Sequence, residues 1–177
     1  MFRCLFVMCV LAGFTTAAEP VMLKVRVTGL FNPERVPDLK ELVKQWPEVH
    51  LASVNFDTSE AEFRIDADKF FGKIKPDEQI KHLDAKLRGV SHSTFGAKPL
   101  CTIPRDKLEA VQIPIVGLDC QACCLSVYET VAKLDGVEYA TASFKHGRVT
   151  ALIDPKKTER TKLIDALQKR NIAVGKQ

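Results

Sequence analysis

The chain has 177 residues, 46% hydrophobic and 27% charged, with a formal net charge of +4. This is an ordinary globular balance, with room for one domain or two small ones. Basic residues sit among acids, as in Lys107-Leu108-Glu109 and Asp154-Pro155-Lys156-Lys157-Thr158-Glu159-Arg160, so no run of like charge points to nucleic acid.

Residues 1–18 read as a secretory signal peptide rather than as part of the fold. Arg3 supplies the positive start, the apolar run 4–14 is too short to span a bilayer, and Thr16-Ala17-Ala18 places small residues before Glu19. The competing reading is an uncleaved anchor. Cleavage removes Arg3 and no acid, leaving 25 basic and 22 acidic residues, a net charge of +3. It also removes Cys4 and Cys9 and leaves Cys101, Cys120, Cys123 and Cys124. The expectation is a periplasmic or secreted protein that does not span the membrane once cleaved, in a compartment where disulfides persist.

In chain order, alternation predicts a strand at 22–28, a helix at 33–45 with Pro37 tolerable only near its start, and strands at 49–56 and 60–65. An insertion, 67–75, precedes a helix at about 76–87 and a short strand near 93–97. A linker covers 99–108. The pattern then repeats. A strand at 111–116 leads to a helix at 121–134 with Cys124, Val127, Val131 and Leu134 on one stripe, closed by Gly136. Strands at 137–144 and 149–153 flank the turn Lys145-His146-Gly147-Arg148. Asp154-Pro155 stops the second of them, and Thr158 is placed to cap a helix carrying Leu163, Ala166 and Leu167. Asn171 ends that helix before a last strand at 172–174.

Placing Gly29-Leu30 on Gly117-Leu118, a shift of 88 residues, holds register without a gap from there to Asp66 on Asp154. The matched positions are the apolar ones, such as Val25 on Ile113, Val43 on Val131 and Ile65 on Ile153. The predicted fold is therefore α+β: two ferredoxin-like βαββαβ domains in tandem, 20–98 and 109–177, each an antiparallel sheet with two helices on one face.

Three of the cysteines fall within Gly117-Leu118-Asp119-Cys120-Gln121-Ala122-Cys123-Cys124. A CxxC between a strand and a helix either holds a soft metal or cycles a disulfide. The helix dipole and free backbone amides favour negative sulfur there. Two sulfurs satisfy Cu(I) or Hg(II), whereas Zn(II) prefers four ligands. Cys124 points about 100° round the helix from Cys123; it is either a small half-buried hydrophobe or a third sulfur. Cys101 is free, pairs with Cys124, or links two chains. His50, His82, His92 and His146 stand at no ligand spacing, and His146 lies in a turn that this topology can hold away from the loop. A thioredoxin-like enzyme needs a longer α/β pattern than the hairpin that follows the first helix at once. No Ser–His–Asp order, carboxylate pair or phosphate loop is present, and no catalysis is expected.

The same loop resembles the GMxCxxC loop of the heavy-metal-associated (HMA) domain. The resemblance continues through Val127, Gly136-Val137, Gly147, Asp154-Pro155 and the Leu163/Ala166/Leu167 helix, over residues 109–174. With a signal peptide in front, it implies an exported mercury- or copper-binding member of that family. One thiophilic ion, Cu(I) or Hg(II) first and Zn(II) or Cd(II) after, would be held by Cys120 and Cys123. It would be sequestered or passed to a metal-transporting membrane protein or another metal carrier. Asp119 resembles the aspartate of the GMDCxxC loop of zinc-, cadmium- and lead-exporting pumps, where it serves as an oxygen ligand; its other reading is a solvent-facing or helix-capping residue. The chain departs from the family at Leu118, usually methionine, at Ile172, where many members carry lysine, tyrosine or phenylalanine, and at the extra thiol of Cys124. The first copy has Asn32 and Arg35 at the thiolate positions and is not expected to bind metal. A last alternative makes both copies interaction modules with structural disulfides.

Overall fold

The computed structural model describes residues 20–175; the expected signal peptide lies outside the described residues. The first part of the chain runs β1 (Val21–Thr28), α1 (Arg35–Val43), β2 (Val49–Asn55), β3 (Glu60–Ile65), α2 (Ala67–Phe70), α3 (Gln79–Val90) and β4 (Gly96–Lys98). The second runs β5 (Glu109–Pro114), α4 (Gln121–Ala132), β6 (Val137–Ser143), β7 (Arg148–Ile153) and α5 (Arg160–Lys169). The shift of 88 carries β2 onto the bounds of β6 and β3 onto those of β7.

Two antiparallel sheets result, ordered β2-β3-β1-β4 and β5-β7-β6. Period-two alternation selects one buried face in each. In the first, Val25, Val27, Ala61, Phe63 and Ile65 turn inward and meet Leu39 and Val43 of α1 and Leu83 and Leu87 of α3. In the second, Val111, Ile113, Val149, Ala151 and Ile153 meet Val127 and Val131 of α4 and Leu163 and Leu167 of α5. Helices of ten or so residues are marginal alone. Full burial of Leu163 and Leu167, worth about 1.5–3 kcal/mol each, is what holds α5 in place.

Four local expectations are revised. The segment 67–75 is not a plain insertion: Asp66 accepts the Lys69 N–H at 3.4 Å and starts α2, which sends Phe70 and Phe71 into the first core. A four-residue helix has no periodicity to read. The strand expected at 93–97 starts at Gly96, because His92 and Ser93 have φ of 50° and 65° and form a turn. Thr158 does not cap α5. It is buried, its N–H donating to Asp154 O at 3.1 Å, and Glu159 takes the cap position with no side-chain bond. The last strand reduces to one bridge, Ile115 with Val174, flanked by Val116 N–H to Ala173 O and Gly175 N–H to Pro114 O, both 2.9 Å. Pro114 accepts there but has no N–H to return, so the ladder does not extend.

The two parts touch. Gly29 N–H donates to the Tyr128 hydroxyl at 2.8 Å, and Ala142 N–H donates to Phe31 O at 2.9 Å. Arg26 pairs with Glu138, and Arg105, in the connection, donates to Asp57 O at 2.8 Å. Leu30 belongs to the first core, whereas its neighbour Phe31 belongs to the second. Among the described residues no helix is long and apolar enough to cross a membrane.

Candidate metal centre

Strand β5 delivers the chain to the site. Ile115 is buried, and its N–H donates to Gly147 O at 2.8 Å, tying the strand end to the β6–β7 turn. Gly117 then takes φ +73°, a left-handed conformation that costs a residue with Cβ roughly 1–2 kcal/mol. This turns the chain off the sheet. Leu118, 6% exposed, drops back into the core and anchors the loop. Asp119 and Cys120 follow on the surface, and Cys123 is half-buried on the first turn of α4.

Cys120 is the N-cap of α4. Its backbone is extended, its Sγ accepts the Cys123 N–H at 3.1 Å, and its O accepts the Cys124 N–H at 3.0 Å. The unpaired amides of a helix start carry partial positive charge, so the sulfur sits where negative charge is favoured. The capping role offered to Asp119 therefore belongs to Cys120. Asp119 instead brings Oδ1 to 3.5 Å from Cys123 Sγ. Cys120 and Cys123 are joined as a disulfide with Cα atoms 5.2 Å apart. Among the described residues, one ligand atom each from Asp119, Cys120 and Cys123 forms a group lying within 4.8 Å of one another.

Cys124 does not share that group. It is fully buried in the second core, and burial pushes its thiol pKa up. Cys101 is half-buried, its thiol donates to Ile103 O at 3.5 Å, and burial raises its pKa as well. Both thiols are free, so the Cys101–Cys124 pairing offered by the sequence does not form. The His146 turn, which this topology could hold away from the loop, lies at the loop's end of the sheet, as the Ile115–Gly147 bond requires. In the first copy, the Arg35 guanidinium pairs with Asp38 and lies over the rings of Phe31 and Phe95, at 5.5 and 5.1 Å from their centroids. What the sequence reading missed is the neighbour at the loop: Gln121 Nε2 donates to Glu34 Oε2 of the first copy at 3.0 Å. The available signal was Phe31. In the 88-residue register it aligns with exposed Asp119, and an apolar residue there needs a surface to cover it.

The family model described as the heavy-metal-associated domain matches residues 113–171. The match spans one third of the chain and takes in the loop that carries Cys120 and Cys123. Solved structures similar to the chain include oxidized MerP from Ralstonia metallidurans CH34. It is 25% identical, covering 40% of this chain and 99% of that one, with a TM-score of 0.37. A CopZ metallochaperone is 22% identical over 38% of this chain and all of its own (100%), TM-score 0.37. The N-terminal soluble domains of Bacillus subtilis CopA are 19% identical over 88% of this chain and 92% of theirs, TM-score 0.36. No curated protein matches the chain.

Proposed function

We propose that the protein binds one soft metal ion between Cys120 and Cys123 and sequesters it or passes it to another carrier. The observation that carries this reading is the convergence of two sulfurs and the Asp119 carboxylate within 4.8 Å at the start of α4. Binding begins from the reduced loop. A dithiol reductant supplies two electrons, the S–S bond breaks, and two thiols form that lose their protons to the solvent as the ion enters. Two sulfurs satisfy Cu(I) or Hg(II); the nearby carboxylate gives Zn(II) or Cd(II) a third donor. A pair at the surface, with Cys123 half-buried, lets an incoming thiolate displace one sulfur at a time, which is what transfer to a membrane transporter or a second carrier requires.

The reading includes export after loss of residues 1–18, division into domains at 20–98 and 109–177 joined by 99–108, and no catalysis. Intact mass of the protein recovered outside the cytoplasm tests the export: a mass that retains residues 1–18 overturns it. For the site, reduced protein is titrated with Cu(I), and separately with Hg(II), against a competing chelator. The wild type is expected to bind one ion and a Cys120→Ser/Cys123→Ser chain none. Equal weak binding by both sinks the proposal. A second reading, thiol–disulfide exchange, draws on the closed disulfide itself. It requires turnover with a dithiol substrate and a potential well above that of structural disulfides.

A further inference from the structure

We infer that the loop which lacks the metal cysteines has become the fastener between the two copies, so that the chain folds as one cooperative body. Consecutive residues of this loop enter different cores. Leu30 is 1% exposed in its own, and Phe31 is 2% exposed in the core of the second copy, where its ring lies 5.8 Å from that of Tyr128. On either side of Phe31 the backbone is committed across the boundary. Gly29 N–H goes to the buried Tyr128 hydroxyl, and Phe31 O receives Ala142 N–H from β6. That last bond occupies a donor on an edge strand, which otherwise stands open to any passing chain. Arg26, from the strand leading into the loop, closes the same edge by donating to Glu138 O and pairing with its carboxylate.

The surface made by Tyr128, Glu138 and Ala142 is therefore a docking face whose partner is the first copy of the same chain. Removing that partner leaves a hole in the second core and unpaired groups along β6. The two copies cannot unfold independently without incurring both costs. A consequence, resting on the metal-binding reading above, is that an ion held by Cys120 and Cys123 protects the first copy too. A ligand that binds only the folded state stabilises everything that unfolds with its site.

Urea unfolding of the full chain tests this with a probe in each copy. Trp46, the only tryptophan and packed against the first core, reports by fluorescence. Hydrogen exchange of the β7 amides reports the second. One shared midpoint is expected in the wild type, and two separated midpoints in Phe31→Ala. Separate midpoints in the wild type, or one shared midpoint in Phe31→Ala, overturn the inference. Tyr128→Phe keeps the ring and removes only the oxygen that receives Gly29 N–H. It should lower both midpoints together, and a shift confined to β7 counts against the fastener. With Cu(I) bound to the reduced wild type, exchange should also slow in β3 of the first copy, and in Phe31→Ala only in the second. Absence of Cu(I) binding rejects the metal site, whereas binding with unchanged β3 exchange rejects the coupling.

Discussion

At the scale of single residues, the proposed site makes Asp119 the group that would separate the candidate ions. Its oxygen lies 3.5 Å from Cys123 Sγ, close enough to complete a shell or to steer the sulfur. Cu(I) and Hg(II) are content with two sulfurs; Zn(II) is not. Asp119→Asn is therefore expected to leave Cu(I) affinity within a factor of about three. It should weaken Zn(II) by about 10- to 100-fold, the loss seen when a partner of a metal ligand is removed. Competition titrations of the two proteins with each ion decide it. Equal losses for both ions place Asp119 outside the coordination. Cys124 shows the opposite case. Sequence spacing sets it beside Cys123, but burial removes it from the donor group and makes it core.

At the scale of the element, the two copies of one loop show what a shared backbone requires and what its surroundings add. Gly29 and Gly117 both have positive φ, +92° and +73°. A Cβ on Gly117 meets nothing within 4 Å, whereas one on Gly29 collides with the Thr94 carbonyl oxygen. Gly117→Ala should thus cost only the conformational term, about 1–2 kcal/mol. Gly29→Ala should cost clearly more, because backbone has to move. Urea midpoints measure both, and equal costs refute the steric account. The strands, the long helices and the loop were legible in the sequence because alternation, stripes and the 88-residue register repeat the same message. α2 was not, because four residues hold no period. The capping of α5 departs from the sequence pattern because a favourable cap residue, Thr158, is drawn inside by the Asp154 turn. In the site, the CxxC pair was readable from spacing. The sulfur cap by Cys120 and the contact from Glu34 were not, since both depend on how segments far apart in sequence meet.

At the scale of the whole molecule, the join makes stability sensitive to alkali. Burial raises the Tyr128 pKa above its ordinary 10.0, a shift that the Gly29 N–H bond only partly offsets, and burial raises Cys124 above 9.0. Both groups stay protonated in the folded chain after they have ionised in the unfolded one. The unfolded state then binds fewer protons than the folded state, and stability falls with rising pH. The Cys124 contribution is complete below about pH 8 and the Tyr128 contribution below about pH 9, and both are lost as pH climbs through 10 and beyond. Unfolding midpoints recorded between pH 8 and pH 11 should fall in the wild type and fall less in Tyr128→Phe. An unchanged slope in that variant removes Tyr128 from the explanation.

The hydrogen bond from Gln121 to Glu34 stands one residue from Cys120, so the first copy flanks the CxxC loop. The groove beside Cys123, lined by Val116, Ala122, Ser126, Val127 and Ile172, takes no residue from the first copy. Traffic at this loop is thus asymmetric. On the proposed metal-binding reading, Cys120 neighbours a fixture of its own chain while Cys123 borders the groove that the first copy leaves open, so Cys123 is the sulfur at which an ion would change hands.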